Sequence, residues 1–225
     1  MHTARHYMLW RFRKMPIAMT NELASIEIYQ LRIYLREISP MIWRRLLVRS
    51  DSTIADLHHT LQIAMGWEDA RLHEFIIRGK RYGISWLGGI VFSDNAHQVQ
   101  LDDLRLRVNE RFLYEHDFYD QWQHEIRLEK QLPFDPAKSY PVCTGGARAA
   151  PPEDCGGPWA YLELKQKYNE WHIAQRILEI YEEGSSGEYR EELKTFLYWL
   201  KADKFDRRSV NRQLKQYIDD NEDPG

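Results

Sequence analysis

The sequence predicts an α+β fold: a mixed, mostly antiparallel sheet with one helix packed early, followed by a C-terminal helical subdomain. Apolar residues recur at every second position in segments before about residue 130, and at helical spacing after residue 158. The strand and helix patterns are therefore separated along the chain. That order is typical of an α+β domain rather than of a doubly wound parallel sheet, in which the two patterns alternate.

Six segments show the alternation of half-buried strands: residues 26–36, 42–48, 72–78, 81–84, 112–118 and 122–128. Ser39-Pro40 supplies a turn between the first two segments, and Tyr119-Asp120-Gln121 joins the last two. Each of these pairs is therefore predicted to form an antiparallel hairpin. The strand predicted over residues 72–78 also argues against a helix-turn-helix over residues 54–77, because it occupies the place of the recognition helix.

The first helix is predicted over residues 54–65, with Asp51-Ser52-Thr53 as its cap and Gly66 at its end. A second helix is expected to start near Pro158, since proline fits a first helical turn. Three apolar stripes at helical spacing follow: one behind an Asn169 cap, one from Tyr189 to Leu200, and one behind an Asp206 cap. The stripe behind Asn169 consists of Trp171, Ala174, Ile177, Leu178 and Tyr181.

These patterns define a single domain over residues 25–218. It comprises a sheet-rich part over 25–139, a connecting loop over 140–158 and a helical part over 159–218. Residues 1–24 are predicted to be a loose N-terminal extension or an over-long start, with Met1, Met15 and Met19 as alternative starts. Residues 219–225 are predicted to be an acidic, disordered tail.

Composition narrows the function classes. The 225 residues are 43% hydrophobic, which is enough for a proper core, and carry a net charge of −3. Any nucleic-acid contact must therefore come from a local patch. Two cysteines make no disulfide framework, and without an export signal we expect reduced thiols and a cytoplasmic protein. Since no stretch approaches the roughly 20 apolar residues of a membrane span, we expect no membrane partner.

The most distinctive segment is residues 140–158. It holds both cysteines, four glycines, four prolines and the carboxylate pair Glu153-Asp154. A compact domain rarely keeps so long an irregular loop unless the loop binds something or closes over something.

Three blocks of the sequence resemble the plasmid pRiA4b ORF-3-like family, and the resemblance runs from about Tyr29 to Leu214. The blocks extend from Tyr29-Gln-Leu-Arg-Ile through Leu57-His58 and Leu72-His-Glu-Phe75 to Tyr82-Gly83, from Phe112 to His124 with Leu128-Glu129, and from Tyr140-Pro-Val-Cys143 to Tyr161. The resemblance implies a mixed α+β domain and an association with plasmids or mobile elements, since some members carry a TnpR-like label. Tyr119 stands where the family usually has glycine, so we expect this turn to differ from that of its relatives.

The residues do not support resolvase activity. A serine recombinase needs an early nucleophilic serine in a Rossmann-like domain, surrounded by arginines, whereas Ser25 precedes a β-hairpin. The Arg/His/Arg set of a tyrosine recombinase is not found either. We therefore expect a non-enzymatic binding protein whose ligand is left open, with a nucleic acid and a protein as candidates. The alternative is a metal-dependent or carboxylate/His enzyme that uses the 112–124 hairpin and the 140–158 loop.

The metal hypothesis involves side chains on or between two adjacent strands, joined by the cysteines of the loop: His116, Asp117, Asp120, His124, Cys143 and Cys155. Zinc, or another divalent metal, accepts these ligand types. No Cys-x-x-Cys spacing supports the site, and both histidines share parity with apolar residues, so hydrogen-bonded core histidines are the competing interpretation. A nucleophilic cysteine would need a base such as His124, and the spacing does not require one.

Two further candidates concern ligand binding. Gly145-Gly146 with Arg148, and Gly156-Gly157 just before the predicted helix, would form an anion cradle by pointing backbone N–H groups at a phosphate or carboxylate. Glu153 and Asp154 are further ligand-binding candidates in the same loop. Tight turns, with the carboxylates as helix caps or partners of Arg148, are the alternative interpretation.

Trp43, Arg44, Arg45 and Arg49 make a basic, aromatic strand that would contact nucleic acid. Trp122 is a further ligand-binding candidate. Arg44 and Arg45 point to opposite faces of a strand, which leaves open that one of them pairs with a carboxylate.

Overall fold

The computed structural model describes residues 26–85, 90–183 and 189–222. Its strands are β1 Glu27–Leu35, β2 Trp43–Arg49, β3 His73–Ile77, β4 Lys80–Tyr82, β5 Arg111–His116, β6 Trp122–Pro133 and β7 Val142–Ala147. Its helices are α1 Ile54–Met65, α2 Gly157–Lys167, α3 Glu170–Glu183, α4 Arg190–Trp199 and α5 Arg207–Glu222. The predicted α+β class is confirmed. The predicted N-terminal extension lies outside the described residues.

The strands form one seven-stranded sheet in the order β4-β3-β5-β6-β1-β2-β7. All six pairings are antiparallel. Both predicted hairpins are confirmed, with Leu31 opposite Leu46 in the first and Tyr114 opposite His124 in the second. Alternation along the strands sends one set of side chains to a buried face and the other set to a half-exposed face.

Helix α1 packs on the buried face. It begins with a capping box, in which the Thr53 hydroxyl accepts from the Asp56 amide at 3.1 Å and the Asp56 carboxylate accepts from the Thr53 amide at 2.8 Å. Leu57 and Leu61 of this helix belong to the same buried cluster as Leu31 of the sheet. Gly66, with φ 76°, ends the helix as predicted.

The predicted connecting loop requires a correction, because Val142–Ala147 forms an edge strand that pairs with β2. Its sequence lacks strand alternation because Gly145 and Gly146 have no side chains, and aromatic rings lie close to their backbone instead. The ring of Trp43 lies against Gly145 and that of Phe205 against Gly146. What remains irregular is the stretch from Arg148 to Gly156.

Two other expectations change at the chain's second half. Helix α5 continues to Glu222, so residues 219–222 of the predicted disordered tail are helical, and residues 223–225 lie outside the described range. The apolar stripe predicted behind Asn169 is solvent-exposed, with Trp171 73% and Tyr181 84% exposed, whereas Ile173 and Ile180 are buried.

The turn between β5 and β6 adapts to Tyr119 in a simple way. Tyr119 is 94% exposed and avoids the left-handed region, which Asp117 (φ 55°) and Gln121 (φ 54°) occupy instead. The Asp117 carboxylate accepts the Tyr119 amide at 2.9 Å, and such local bonding makes aspartate tolerant of this conformation.

Candidate functional site

Residues 151–156 are held against the β5–β6 hairpin by side chains that the sequence predicted as candidate site residues. Glu153 accepts from the His116 ring Nε2 at 2.8 Å and from the Glu68 amide at 2.9 Å, so both of its carboxylate oxygens are engaged. The Trp122 indole donates to the Glu153 carbonyl at 3.1 Å, and Asp120 accepts the Gly156 amide at 2.9 Å. The hairpin and this segment therefore meet, as the enzyme hypothesis requires, but through a set of mutual hydrogen bonds that fixes the segment in place.

Gly157 completes this attachment. Its φ is 82°, and a Cβ at this position would collide with the backbone carbonyl of Asp120. Asp154 pairs with Arg71 at 2.5 Å, and Arg148 donates to Asp203 at 3.0 Å. Arg148 and Asp154 thus each have an intramolecular ion-pair partner, and Gly156 and Gly157 lie against Asp120 of the hairpin.

The two arginines of β2 lie on opposite faces of the sheet. Arg44 is 2% exposed and donates to the carbonyls of Ala64 at 2.9 Å and Ala147 at 3.1 Å, with its guanidinium 4.0 Å from the ring centroid of Phe205. Burial lowers the pKa of Arg44 to about 10. Arg45, on the half-exposed face, forms a bidentate pair with Glu129 at 2.6 and 3.1 Å.

That carboxylate is strongly stabilised as an anion. The hydrogen bond from Arg45 is the main reason that the pKa of Glu129 falls to about 2. Arg127 also contacts Glu129, at 3.2 Å. Arg45 and Arg127 of this face therefore already share a carboxylate partner.

Beneath the 151–156 segment, a buried chain of hydrogen bonds links four elements. The Gln62 amide donates to the Tyr114 hydroxyl at 2.7 Å and lies 3.1 Å from Nδ1 of His116. The Tyr114 hydroxyl lies 2.8 Å from Nδ1 of His58, whose Nε2 lies 2.5 Å from Asp69. The chain thus runs from Glu153 to Asp69, with a carboxylate at each end.

Burial controls the ionisation of this chain. It raises the pKa of the Tyr114 hydroxyl well above its usual value and lowers that of the His58 imidazole. For Asp69, burial raises the pKa, but the hydrogen bonds from His58 and His59 outweigh it, and the net pKa lies well below the usual value. These shifts favour a neutral His58 ring and a neutral Tyr114 hydroxyl beside an anionic Asp69.

His73 and His124 are buried imidazoles with incomplete hydrogen bonding. Nδ1 of His73 and both ring nitrogens of His124 have no hydrogen-bond partner among the described residues. Burial lowers the pKa of His73 to about 2 and that of His124 to about 3. The ring of His73 stacks on that of His58, with centroids 3.4 Å apart and planes 11° from parallel.

The cysteines have thiols in protected settings. Burial raises the pKa of the Cys143 thiol, and it raises that of Cys155 to about 12. Cys143 is buried in β7 and its backbone is bonded on both sides to the Asn211 amide, at 2.7 and 2.9 Å. Because thiolate is the reactive form, neither thiol has the environment of a nucleophile.

A cleft of about 730 Å³ lies between the 150–155 segment and the helices α2 and α4. Its lining includes aromatic rings from the helices, Tyr168, Tyr198 and Trp199, and Trp67 from the turn after α1. Four carboxylates and one lysine line it as well: Glu68, Glu153, Asp154, Glu191 and Lys194. The cleft is therefore aromatic and net acidic.

The sequence predicted functional residues at one end of the buried chain of hydrogen bonds, His116 and Glu153, and did not predict those at the other end. The missed residues are His58, Gln62, Asp69, His73 and Tyr114. A signal existed, since His58 and Gln62 are four residues apart on one helix face and His73 lies in one of the family blocks. Among the described residues, one group of three could hold a metal ion, and it is His58, Asp69 and His73 rather than the hairpin set. The hairpin metal site stays a prediction.

Comparison with known proteins identifies the family. The profile described as "Plasmid pRiA4b ORF-3-like protein" matches residues 27–214, and the chain belongs to this family. The chain is 32% identical over 141 residues to "Uncharacterized protein y4hQ" of Sinorhizobium fredii. The matched region covers 61% of this chain and 71% of the relative. It also resembles a crystal structure titled "Protein of Unknown Function MM3350" from Methanosarcina mazei Go1, with a TM-score of 0.60, 33% identity, and coverage of 82% of this chain and 97% of that one.

Among the described residues, no helix combines the length and apolarity needed to cross a bilayer.

Proposed function

We propose that this pRiA4b ORF-3-like protein is a non-enzymatic binding protein that holds a basic, partly apolar segment of a partner protein in the aromatic, acidic cleft. The observation that carries the proposal is the cleft itself, whose wall is fixed in advance. Intramolecular hydrogen bonds with His116, Trp122 and Asp120 hold residues 151–156. A preformed wall lowers the ordering cost of binding.

Charge and ring chemistry select the kind of ligand. Asp154 and Glu191 have intramolecular cation partners, whereas Glu68 is exposed and makes no ion pair among the described residues. A lysine or arginine side chain entering the cleft would meet Glu68 and the aromatic rings that line the cleft. An apolar neighbour on the same segment would pack on Pro151 and Trp199.

Two pieces of evidence favour this proposal over the enzyme alternative. Each carboxylate oxygen of Glu153 already accepts a hydrogen bond, one from the His116 ring and one from the Glu68 amide, so this side chain is engaged in holding the segment rather than set apart as a general base. The raised thiol pKa of Cys155, the cysteine that lines the cleft, disfavours nucleophilic catalysis. The enzyme built on His116, Asp117, Asp120 and His124 remains the alternative hypothesis.

Nucleic acid is the second candidate ligand, and the half-exposed sheet face is where it would bind. Trp43 lies on that face, with Arg32 5.2 Å and Arg45 5.5 Å from its ring centroid. Binding of phosphates would first have to break the bidentate pair between Arg45 and Glu129. This competition is why we favour a protein ligand. The family's name supports the association with plasmids, and we extend that association to mobile elements.

The test uses two fluorescent peptides with the same leucine and tryptophan residues, one carrying arginine and lysine and the other glutamate. We expect the basic peptide to bind at least about tenfold more tightly, with an affinity that falls as salt rises. The variant Glu68→Gln should weaken it several-fold, whereas Glu182→Gln, an exposed carboxylate on α3, should not. Equal binding of both peptides, or none, would refute the proposal.

The nucleic-acid candidate has its own test. A mobility shift of duplex DNA that weakens with salt and disappears in Arg45→Ala would support it. Arg44→Ala is not suitable for this purpose, because Arg44 is buried and its loss would disturb the fold. A shift that survives Arg45→Ala, or no shift at low salt, would exclude the sheet face as the contact surface.

A further inference from the structure

We propose that His58, Asp69 and His73 form a binding site for a divalent first-row transition metal, of which Zn²⁺ is the probe. One donor atom from each of these residues lies within 4.8 Å of the other two. His58 comes from α1, Asp69 from the turn that follows it, and His73 from the first position of β3. The site is distinct from the hairpin set considered above and does not depend on the proposed peptide ligand.

The donor chemistry defines the class of ion. Two imidazoles and one carboxylate suit zinc, iron or cobalt, whereas magnesium and calcium prefer sites made of oxygens. Three protein ligands leave a fourth position for water, as in many zinc sites. The side chain of Asp69 is 34% exposed, so an ion has a route from solvent, while the side chain of His58 is fully buried behind it.

A buried nitrogen without a partner is the second, independent observation. Nδ1 of His73 is buried and accepts or donates no hydrogen bond among the described residues, and the residue as a whole is 3% exposed. Such an orphaned polar atom is costly. A metal ion would satisfy it and so offset that cost.

The groups around the ligands are those that orient metal-binding side chains. Nδ1 of His58 lies 2.8 Å from the Tyr114 hydroxyl, which Gln62 holds in turn, so Nε2 is presented toward Asp69. The second oxygen of Asp69 lies 3.0 Å from Nδ1 of His59. Hydrogen bonds to the outer atoms of ligands fix their tautomer and orientation.

Coordination requires two local changes. His58 has to lose the Nε2 proton that the Asp69 carboxylate accepts and carry its ring proton on Nδ1, facing the Tyr114 hydroxyl. The rings of His58 and His73 are stacked and nearly parallel, and the lone pair of each ring nitrogen lies in the plane of its own ring. The His73 ring therefore has to turn before one nitrogen from each ring can bind the same ion. Ligation through Nδ1 of His73 also places the ring proton on Nε2, which at present accepts the Ile84 amide at 3.3 Å. That long contact has to open. Faster hydrogen exchange at the Ile84 amide on adding metal is therefore a specific consequence.

The experiment titrates metal-stripped, untagged full chain with Zn²⁺ by calorimetry, and with Co²⁺ by visible absorption. We expect one ion per chain. Asp69→Asn should weaken Zn²⁺ binding at least about tenfold and should fold, since asparagine tolerates the left-handed φ of 58° at this position. His73→Gln should abolish the Co²⁺ spectrum, and His97→Ala, at an exposed histidine, should leave it unchanged.

Three results would overturn the proposal. One is the absence of binding at micromolar Zn²⁺. Another is unchanged affinity in a folded Asp69→Asn protein. The third is loss of metal in His116→Gln or His124→Gln with full retention in Asp69→Asn, which would assign the ion to the hairpin instead. Peptide binding measured on the same variants keeps this outcome separate from the proposed cleft function.

Discussion

His124 should make the protein acid-sensitive at a pH well above the range in which carboxylates titrate. The ring is fully buried on β6, both nitrogens lack hydrogen-bond partners among the described residues, and Trp67 and Tyr114 lie against it. Burial, with smaller contributions from His116 and Arg44, lowers its pKa to about 3. In the unfolded chain the pKa returns to about 6.5.

The direction of the effect follows from proton uptake. Below pH 6.5 the unfolded chain gains a proton on His124 that the folded protein does not take up until about pH 3. Stability is therefore complete above pH 6.5 and falls as the pH drops through that value, by up to about 1.4 kcal/mol per pH unit. Between pH 7 and pH 5 this one group should remove about 2 kcal/mol, a large share of the 5–15 kcal/mol typical of a domain.

Urea unfolding of the wild-type protein and of His124→Leu at half-unit steps from pH 7 to pH 5 measures the effect. The variant lacks the titrating ring, so the difference between the two unfolding free energies should change by about 2 kcal/mol over this range. His97→Ala, at an exposed position, serves as the control and should follow the wild type. Parallel curves for the wild type and His124→Leu would refute the reasoning.

Three substitutions test the packing of the site by urea unfolding at pH 7. Arg44→Met removes the buried donor of three backbone carbonyls and should cost about 3 kcal/mol, and a loss below about 1 kcal/mol would contradict its role. Glu153→Ala leaves the ring N–H of His116 without its acceptor, and should cost about 2 kcal/mol and speed amide exchange over residues 151–156; unchanged exchange would show that this bond does not hold the segment. Gly157→Ala forces a methyl group into a neighbouring backbone carbonyl at φ 82° and should cost at least about 2 kcal/mol, whereas Gly79→Ala, with a similar φ but open space, should cost only about 1 kcal/mol; equal losses would contradict the steric argument.

The sequence predicted the sheet and α1 because their side chains obey a period. Strand alternation and the Thr53 to Gly66 boundaries were both readable without the fold. Strand β7 obeys no such period, because the rings of Trp43 and Phe205 occupy the space that side chains at Gly145 and Gly146 would need. These rings lie about 100 and 60 residues away in the chain. A contact of that kind is set by tertiary structure and leaves no local pattern.

Helix α3 shows a second limit of periodicity. It carries two apolar faces, one with Ile173 and Ile180 and the other with Trp171 and Leu178, each pair seven residues apart. The two faces have the same spacing, and the larger side chains favour the face with Trp171 and Leu178. The structure instead buries the isoleucines and leaves Leu178 62% exposed. Which face is buried depends on the elements that pack against the helix, and those are not encoded in the helix's own period.

The candidate site was half predictable for the same reason. His116 and Glu153 stood out by residue type and by their unusual segments, whereas Gln62 and Tyr114 look like ordinary helix and strand residues. Their role depends on α1 lying across β5, which brings residues 52 positions apart to 2.7 Å. His116 and His124 share strand parity with apolar residues, which is compatible with a core position. His116 is both a core residue and a partner of the 151–156 segment.

The buried chain of hydrogen bonds explains why an apparently flexible segment serves as a rigid wall. Moving residues 151–156 away would break the hydrogen bonds with His116, Trp122 and Asp120 together. That cost falls on the open state. The closed position is therefore favoured before any ligand arrives. On the proposed function, a ligand of the cleft would meet a wall that is already ordered, and its affinity would be determined by its contacts with Glu68 and the aromatic rings rather than by closure of a loop.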